Sequence, residues 1–324
     1  MNVRIIGDAP AAAVLAGVLA AEQQEVIWNP DADGDGRLKA LKRRKEIRLN
    51  LPWGWVRTGA FRLSSSRLLK AGELGVVAFR TSEPLRGGAA EAQGAIGGRD
   101  RTLLVLNDGL GTGIAGTAVH RGLCLFDALE WDPGVVELTC TQPRLIVQAG
   151  AELGELQRCL KARSIAFQEV EDLSPYRNAL QIRELLDLPV ALCHSTLANF
   201  LSYPEGREIA ESLLEEGLRL FSQQDLPLAR LPDPDPRELL QRLKRKPQEF
   251  DKLRHFPDRG YGPALQSLLR GEAAAAGEPN RRILRRSSQT GIDPGWNWAI
   301  TQKINRVIRV GFYRDPVELY NALR

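Results

Sequence analysis

The chain has 324 residues, of which 43% are hydrophobic and 26% charged, a composition that excludes an intrinsically disordered protein and gives room for two domains and a sizeable core. Its net charge of +4 is the small difference between 44 basic and 40 acidic residues, which is mild basicity and not the signature of a dedicated polyanion binder, so nucleic acid is not an expected partner. Cys124, Cys140, Cys159 and Cys193 lack C-x-x-C spacing, and the three histidines stand far apart. Neither a disulfide framework nor a metal site is expected.

In chain order, strand-like "VRII" (3–6) runs into Gly7, an Ala-rich helical stretch and a second strand, "EVIW" (25–28). This is the layout of a dinucleotide-binding βαβ unit, whose first turn normally reads G-x-G-x-x-G. Here the turn reads G-D-A-P-A-A. Gly7 is kept, while Ala9 and Ala12 take the second and third glycine places. Ala9 sets a methyl group where phosphate oxygens would pass, and Asp8 competes as an anion for the same N–H groups and helix dipole. Pro10 suits a first helical turn but removes one N–H. The apolar run 9–21 is too short to cross a bilayer and follows a strand, so the expectation is a cytoplasmic protein with no membrane span.

After the second strand comes the turn-like "NPDADGDG", in which Asp31 is a candidate to hold a ribose hydroxyl or simply a turn residue. The basic run 37–50 is either a solvated helix face or a dock for an acidic partner or an anion. "LPWGWV" (51–56) brings two tryptophans near a sheet edge, exposed or buried. "LGVVAF" (74–79) and "TLLVL" (102–106) continue a parallel sheet. "GLCLFDAL", "GVVELTC" and "RLIVQAG" then follow closely, as antiparallel strands closing that sheet's edge would. The α/β region ends near residue 172.

From there the period changes to three and four, predicting helices over 177–200, 205–223, 236–246, 260–272, 278–291 and 296–309, with the Pro-rich connector "DLPLARLPDPDP" (225–236) between the second and third. Cys193 and His194 are adjacent on a helix and point about 100° apart, so they read as packing and not as a catalytic pair. Arg281, Arg282, Arg285 and Arg286 share one side of a helix, and from Arg281 onward nine Lys/Arg face three Asp/Glu. That face is either solvated or a dock for an acidic partner. In the tail, "DPVELYNAL" starts with an Asp cap and a first-turn proline. Its apolar side is open to three uses: packing on its own domain, reaching a second subunit, or binding another protein.

Several stretches resemble the ketopantoate reductase family. "LNDGLG" (106–111) is similar to the family's L-Q-N-G-L-G, and "VVAFR" (76–80) to its V-V-x-V-K. "DLPVAL" (187–192) looks like N-P-L-T-A-L, followed by "LSYPEGREIAESLLEE" (201–216). "ALQSLLRGE" with Asn280, and "GIDPGWN" (291–297), look like the last two helices. The resemblance covers residues 1 to about 300 and rests on the order and spacing of these motifs. It implies an α/β N-terminal Rossmann-like domain (1–172), an all-α C-terminal domain of the 6-phosphogluconate dehydrogenase-like helical kind (173–300) and an additional tail (301–324).

The family reduces a 2-keto acid with NADPH in a cleft between its two domains, using a lysine as proton donor because hydride attack builds negative charge on the carbonyl oxygen. Carried over by position, the family's Lys, Asn and Asn fall on Ala179, Arg183 and Asp187. Its glutamate falls on Ala275, and the Ser and Asp of S-M-L-Q-D fall on Pro263 and Ser267. Arg80 keeps a cation where the family has Lys, Asn107-Asp108 replaces Gln-Asn, and Trp28-Asn29-Pro30 stands where an Arg meets the 2′-phosphate. The degenerate cofactor positions are thus Gly7, Asp8, Ala9, Ala12, Arg80, Asn107 and Asp108. The expected molecule is a homodimer, built mainly through the helical domain with the tail contributing, that binds an anion or a protein partner without catalysis and without a cofactor. The competing reading is an NADP- or NAD-dependent reductase using Arg80 or Arg183 as its cation.

Overall fold

A computed structural model describes residues 1–7, 10–30, 35–64, 69, 73–78, 102–106, 118–126, 128–138, 140, 142–150, 153–232, 234–251, 263–269 and 271–324. The chain divides into two compact units, Met1–Leu173 and Ser174–Arg324.

The first unit opens with β1 (Asn2–Ile6), α1 (Pro10–Ala21), β2 (Glu25–Asn29) and α2 (Asp35–Arg44). Strands β3 (Ile47–Leu51), β4 (Gly54–Thr58), β5 (Phe61–Leu63), β6 (Leu74–Ala78), β7 (Thr102–Leu106), β8 (Ala118–Leu125), β9 (Ala128–Asp132), β10 (Val135–Leu138) and β11 (Arg144–Gln148) follow, then α3 (Gly154–Ala162) and β12 (Ala166–Val170). Eight strands form one sheet in the order β12-β11-β8-β7-β6-β1-β2-β5. From β5 to β8 every pairing is parallel, and β11 turns antiparallel to β8. Continuous apolar strands such as β6, buried at all five positions, are what a sheet covered on both faces requires.

The edge closure expected from the runs between 122 and 150 is only half realised. β11 closes the large sheet, whereas β9 and β10 join β3 and β4 in a second sheet of order β4-β3-β10-β9. The reason lies in α1, whose residues Ala11 to Ala20 are all buried. A helix apolar all round needs cover on both sides, and the second sheet supplies it through Ile47, Leu49, Leu51, Val56, Val136 and Leu138. Gly17 makes the approach close: a Cβ there would lie 2.7 Å from Leu49 Cδ1.

The second unit is helical: α4 (Ser174–Arg183), a 3₁₀ turn Glu184–Leu186, α5 (Asp187–Leu192), α6 (Leu197–Leu201), α7 (Pro204–Gln223), α8 (Pro236–Arg245), α9 (Pro263–Leu269), α10 (Ala273–Ala276), α11 (Glu278–Ser287), α12 (Gly295–Gln302), α13 (Ile304–Val310) and α14 (Pro316–Leu323). The predicted helix 177–200 is broken twice. Pro189 has no N–H to give to the Leu185 carbonyl, and the turn before it tightens to 3₁₀. His194, at φ +46°, then ends α5. The predicted helix 296–309 is likewise two helices, with Lys303 between them. Among the described residues no helix is long and apolar enough to cross a membrane.

Candidate functional site

The candidate nucleotide turn follows β1. Gly7 N–H donates to the Asn29 carbonyl at 3.0 Å, and the Gly7 carbonyl accepts from Trp28 Nε1 at 3.1 Å. Its φ is +134°, and a Cβ would stand 2.4 Å from the Ala78 carbonyl oxygen. Only glycine fits that position. Both hydrogen-bonding groups of the first fingerprint glycine are therefore engaged by β2, and its missing side chain is used by β6. Pro10 opens α1 without an N–H, and Ala12 is fully buried. Trp28 is fully buried too, its ring 6.4 Å from that of Phe61. Asp8, Ala9, Asp31, Arg80, Asn107 and Asp108 lie outside the described residues.

The positions that the resemblance gives to substrate chemistry lie in the helical unit. Ala179 is buried on α4, Arg183 ends that helix half-buried, and Asp187 opens α5, also half-buried. Ala275 is half-buried in the short α10, and Ser267 is buried in α9. Ser174 to Leu201 contains no lysine. The same unit holds a buried polar chain. Glu216 of α7 accepts the N–H groups of Trp296 (2.7 Å) and Asn297 (3.0 Å) at the start of α12, where the helix dipole favours an anion. Asn297 Nδ2 also donates to Glu216, at 2.8 Å. Asn280 Nδ2 donates to Asn297 Oδ1 (2.9 Å) and to the Leu185 carbonyl (3.2 Å). Neither asparagine has any solvent exposure.

No family model matches the chain, and no curated protein matches its sequence. Solved structures do match. A PanE/ApbA family ketopantoate reductase from Ralstonia eutropha JMP134 is 16% identical, over 95% of this chain and 99% of its own, with a TM-score of 0.70. D-mandelate dehydrogenase, solved with NADH and anilino(oxo)acetate, is 13% identical over 95% and 99%, with a TM-score of 0.70. A dimeric ketopantoate reductase from Staphylococcus aureus is 13% identical over 95% and 99%, with a TM-score of 0.64. The chain has the ketopantoate reductase fold.

Seen in that fold, three of the stretches that carry the sequence resemblance meet in one buried cluster. Glu216 ends the stretch 201–216, Asn280 follows "ALQSLLRGE", and Asn297 ends "GIDPGWN". Their task here is mechanical: they tie α7, α11 and α12 to the turn at Leu185. Glu216 falls inside a matched stretch but drew no role from sequence, because a glutamate on an amphipathic helix ordinarily faces water.

The four arginines near 281–286 are engaged within their own unit. Arg281 donates to the Ala274 carbonyl at 2.9 Å, and Arg282 (3.2 Å) and Arg285 both pair with Glu278. Arg286 reaches Gln224 at 3.3 Å and lies over the Phe221 ring. Burial, then Arg282, holds the Arg286 pKa below its usual range. The tail also turns inward. Leu319 and Tyr320 of α14 are buried in the helical core, Arg306 donates to Glu318 at 2.7 Å, and Tyr313 N–H bonds to the Leu192 carbonyl at 2.9 Å. Cys193 is buried, its thiol pKa pushed up by burial and then by Asp315 and Glu318. His194 is exposed and stacks on Phe312. An un-ionised buried thiol is no nucleophile.

Proposed function

We propose that this chain uses the ketopantoate reductase fold as a scaffold and acts by binding, in a regulatory or assembly role, without reducing a 2-keto acid. The observation that carries the reading is Ala179. It stands at the position the family resemblance gives to the proton-donating lysine, it is buried, and a methyl group can neither give a proton nor stabilise an alkoxide. Ala275 stands likewise where the resemblance puts a glutamate.

The nucleotide turn supports the same reading. A pyrophosphate docks on free N–H groups at the start of a helix. In the described part of this turn the Gly7 N–H is spent on Asn29 and Pro10 has none. Pro10 thus leaves the start of α1 one N–H short of the donor set on which a pyrophosphate docks.

Titration calorimetry with NADPH and with NADH is expected to give no micromolar binding, and ketopantoate reduction to be undetectable. A micromolar or tighter dissociation constant would instead support a reductase with Arg183 or Arg80 as its cation. An arginine hardly deprotonates, but it can stabilise a developing alkoxide.

A further inference from the structure

Strand β4 is the free edge of the second sheet: it pairs with β3 on one side and with no described strand on the other. It follows the two-residue turn Pro52–Trp53, and its exposure alternates. Val56 and Thr58 are buried, while Trp55 is 62% exposed and Arg57 is exposed. Natural edges are usually blunted by proline, lysine or a bulge. This one has a single cation and a large aromatic, both on the sheet's outer face.

The ladder shows which backbone groups face outward. Arg48, directly opposite Arg57, gives its N–H to Gly134 on the β10 side at 2.8 Å. In an antiparallel ladder, residues alternate between exchanging hydrogen bonds with the partner strand and turning away from it. Arg48 and Arg57 are therefore a turned-away pair, and Asn50 and Trp55, two residues along, are another. The N–H and C=O groups of Trp55 and Arg57 point to the free edge.

We infer that β4 is a self-complementary edge at which a second copy of this chain adds antiparallel, with the two-fold axis at Val56. That register sets Trp55 directly opposite the partner's Arg57 and Arg57 opposite the partner's Trp55. Both are pairs whose backbone groups already face outward, so both exchange ladder hydrogen bonds, and the two four-stranded sheets become one. On the outer face each guanidinium lies against an indole, the side chain best suited to a cation. The complementarity matters because Arg57 is poorly served in the single chain. It faces Arg48 across the ladder, a like-charge pair that destabilises, and among the described residues no carboxylate pairs with it. Arg48 is held by Glu46, and Asn50 by Glu137 at 3.4 Å. Moving the axis to Arg57 sets arginine against arginine, and moving it to Trp55 sets indole against indole. The inference stands independently of whether a nucleotide binds.

Sedimentation velocity of the full-length chain at tens of micromolar is expected to show a dimer. Trp55→Arg puts a guanidinium opposite the partner's Arg57 and is expected to raise the dimer dissociation constant by about tenfold or more, as two cation–π contacts are replaced by repulsion. The swapped variant, Trp55→Arg with Arg57→Trp, restores the pairing only in this register and is expected to dimerise again. Both side chains are exposed, so far-UV circular dichroism should stay native. A monomer at tens of micromolar overturns the inference. So does a dimer that Trp55→Arg leaves intact, which would point to the helical unit, or a natively folded swapped variant that stays monomeric.

Discussion

At the residue scale, Gly7 is where nucleotide binding and packing compete to explain the same side chain. A retained first glycine invites a cofactor reading, yet here the sheet alone demands it. Gly7→Ala forces a Cβ to within 2.4 Å of the Ala78 oxygen at a φ of +134°. The expected destabilisation is ~2–4 kcal/mol, seen as a lower urea midpoint with or without NADPH. Asp235 gives a second test. Its side chain is 1% exposed and caps α8, accepting the N–H groups of Leu231 (2.9 Å) and Arg237 (3.0 Å). Burial pulls its pKa upward, but the Arg237 guanidinium and these N–H donors outweigh that and leave it below the usual carboxylate range. A depressed folded pKa adds stability above the unfolded value, and that stability is lost as pH falls through the folded one. Asp235→Ala should therefore cost ~1 kcal/mol or more at neutral pH, and the gap to the parent should narrow below about pH 4 in denaturant titrations.

At the element scale, the tail helix α14 has its apolar face spoken for. Leu319 is fully buried, and Tyr320 stacks on Trp296 with ring centroids 6.3 Å apart. Leu319→Ala should cost ~2–4 kcal/mol, and deleting 312–324 should lower the melting temperature further while sedimentation is unchanged. A deletion that dissociates an otherwise folded dimer would return the tail to the interface. The basic helix α11 tells a similar story: its four arginines read from sequence as a surplus on one side, and the fold gives each a partner within its own unit.

At the scale of the whole molecule, each unit has its own core, and each holds one half of the positions that the family resemblance assigns to chemistry. Restoring Ala179→Lys and Ala275→Glu together should not produce ketopantoate reduction, because Ala9, Pro10 and Ala12 would still stand in the nucleotide turn. A fluorescence titration of that double variant with NADPH should show no saturable change. Turnover by the unmodified chain would overturn the positional assignment itself.

Sequence alone determined the α/β-then-helical order, because hydrophobic period and proline placement are local properties. Spaced motifs also sufficed to point to the ketopantoate reductase fold. What it did not determine was whatever depends on which surfaces meet. The strand-like runs near β9 and β10 look the same whether they extend one sheet or start another, and the cover needed by an all-apolar α1 decided between them. Glu216 and Arg4 look like ordinary charged residues in the string. Their burial, Glu216 with two asparagines and Arg4 with Glu73 at 3.1 Å, exists only once distant segments pack. The two tryptophans of "LPWGWV" stayed ambiguous for the same reason: exposure belongs to the neighbours of a residue, and only the folded edge at β4 turns Trp55 outward beside Arg57.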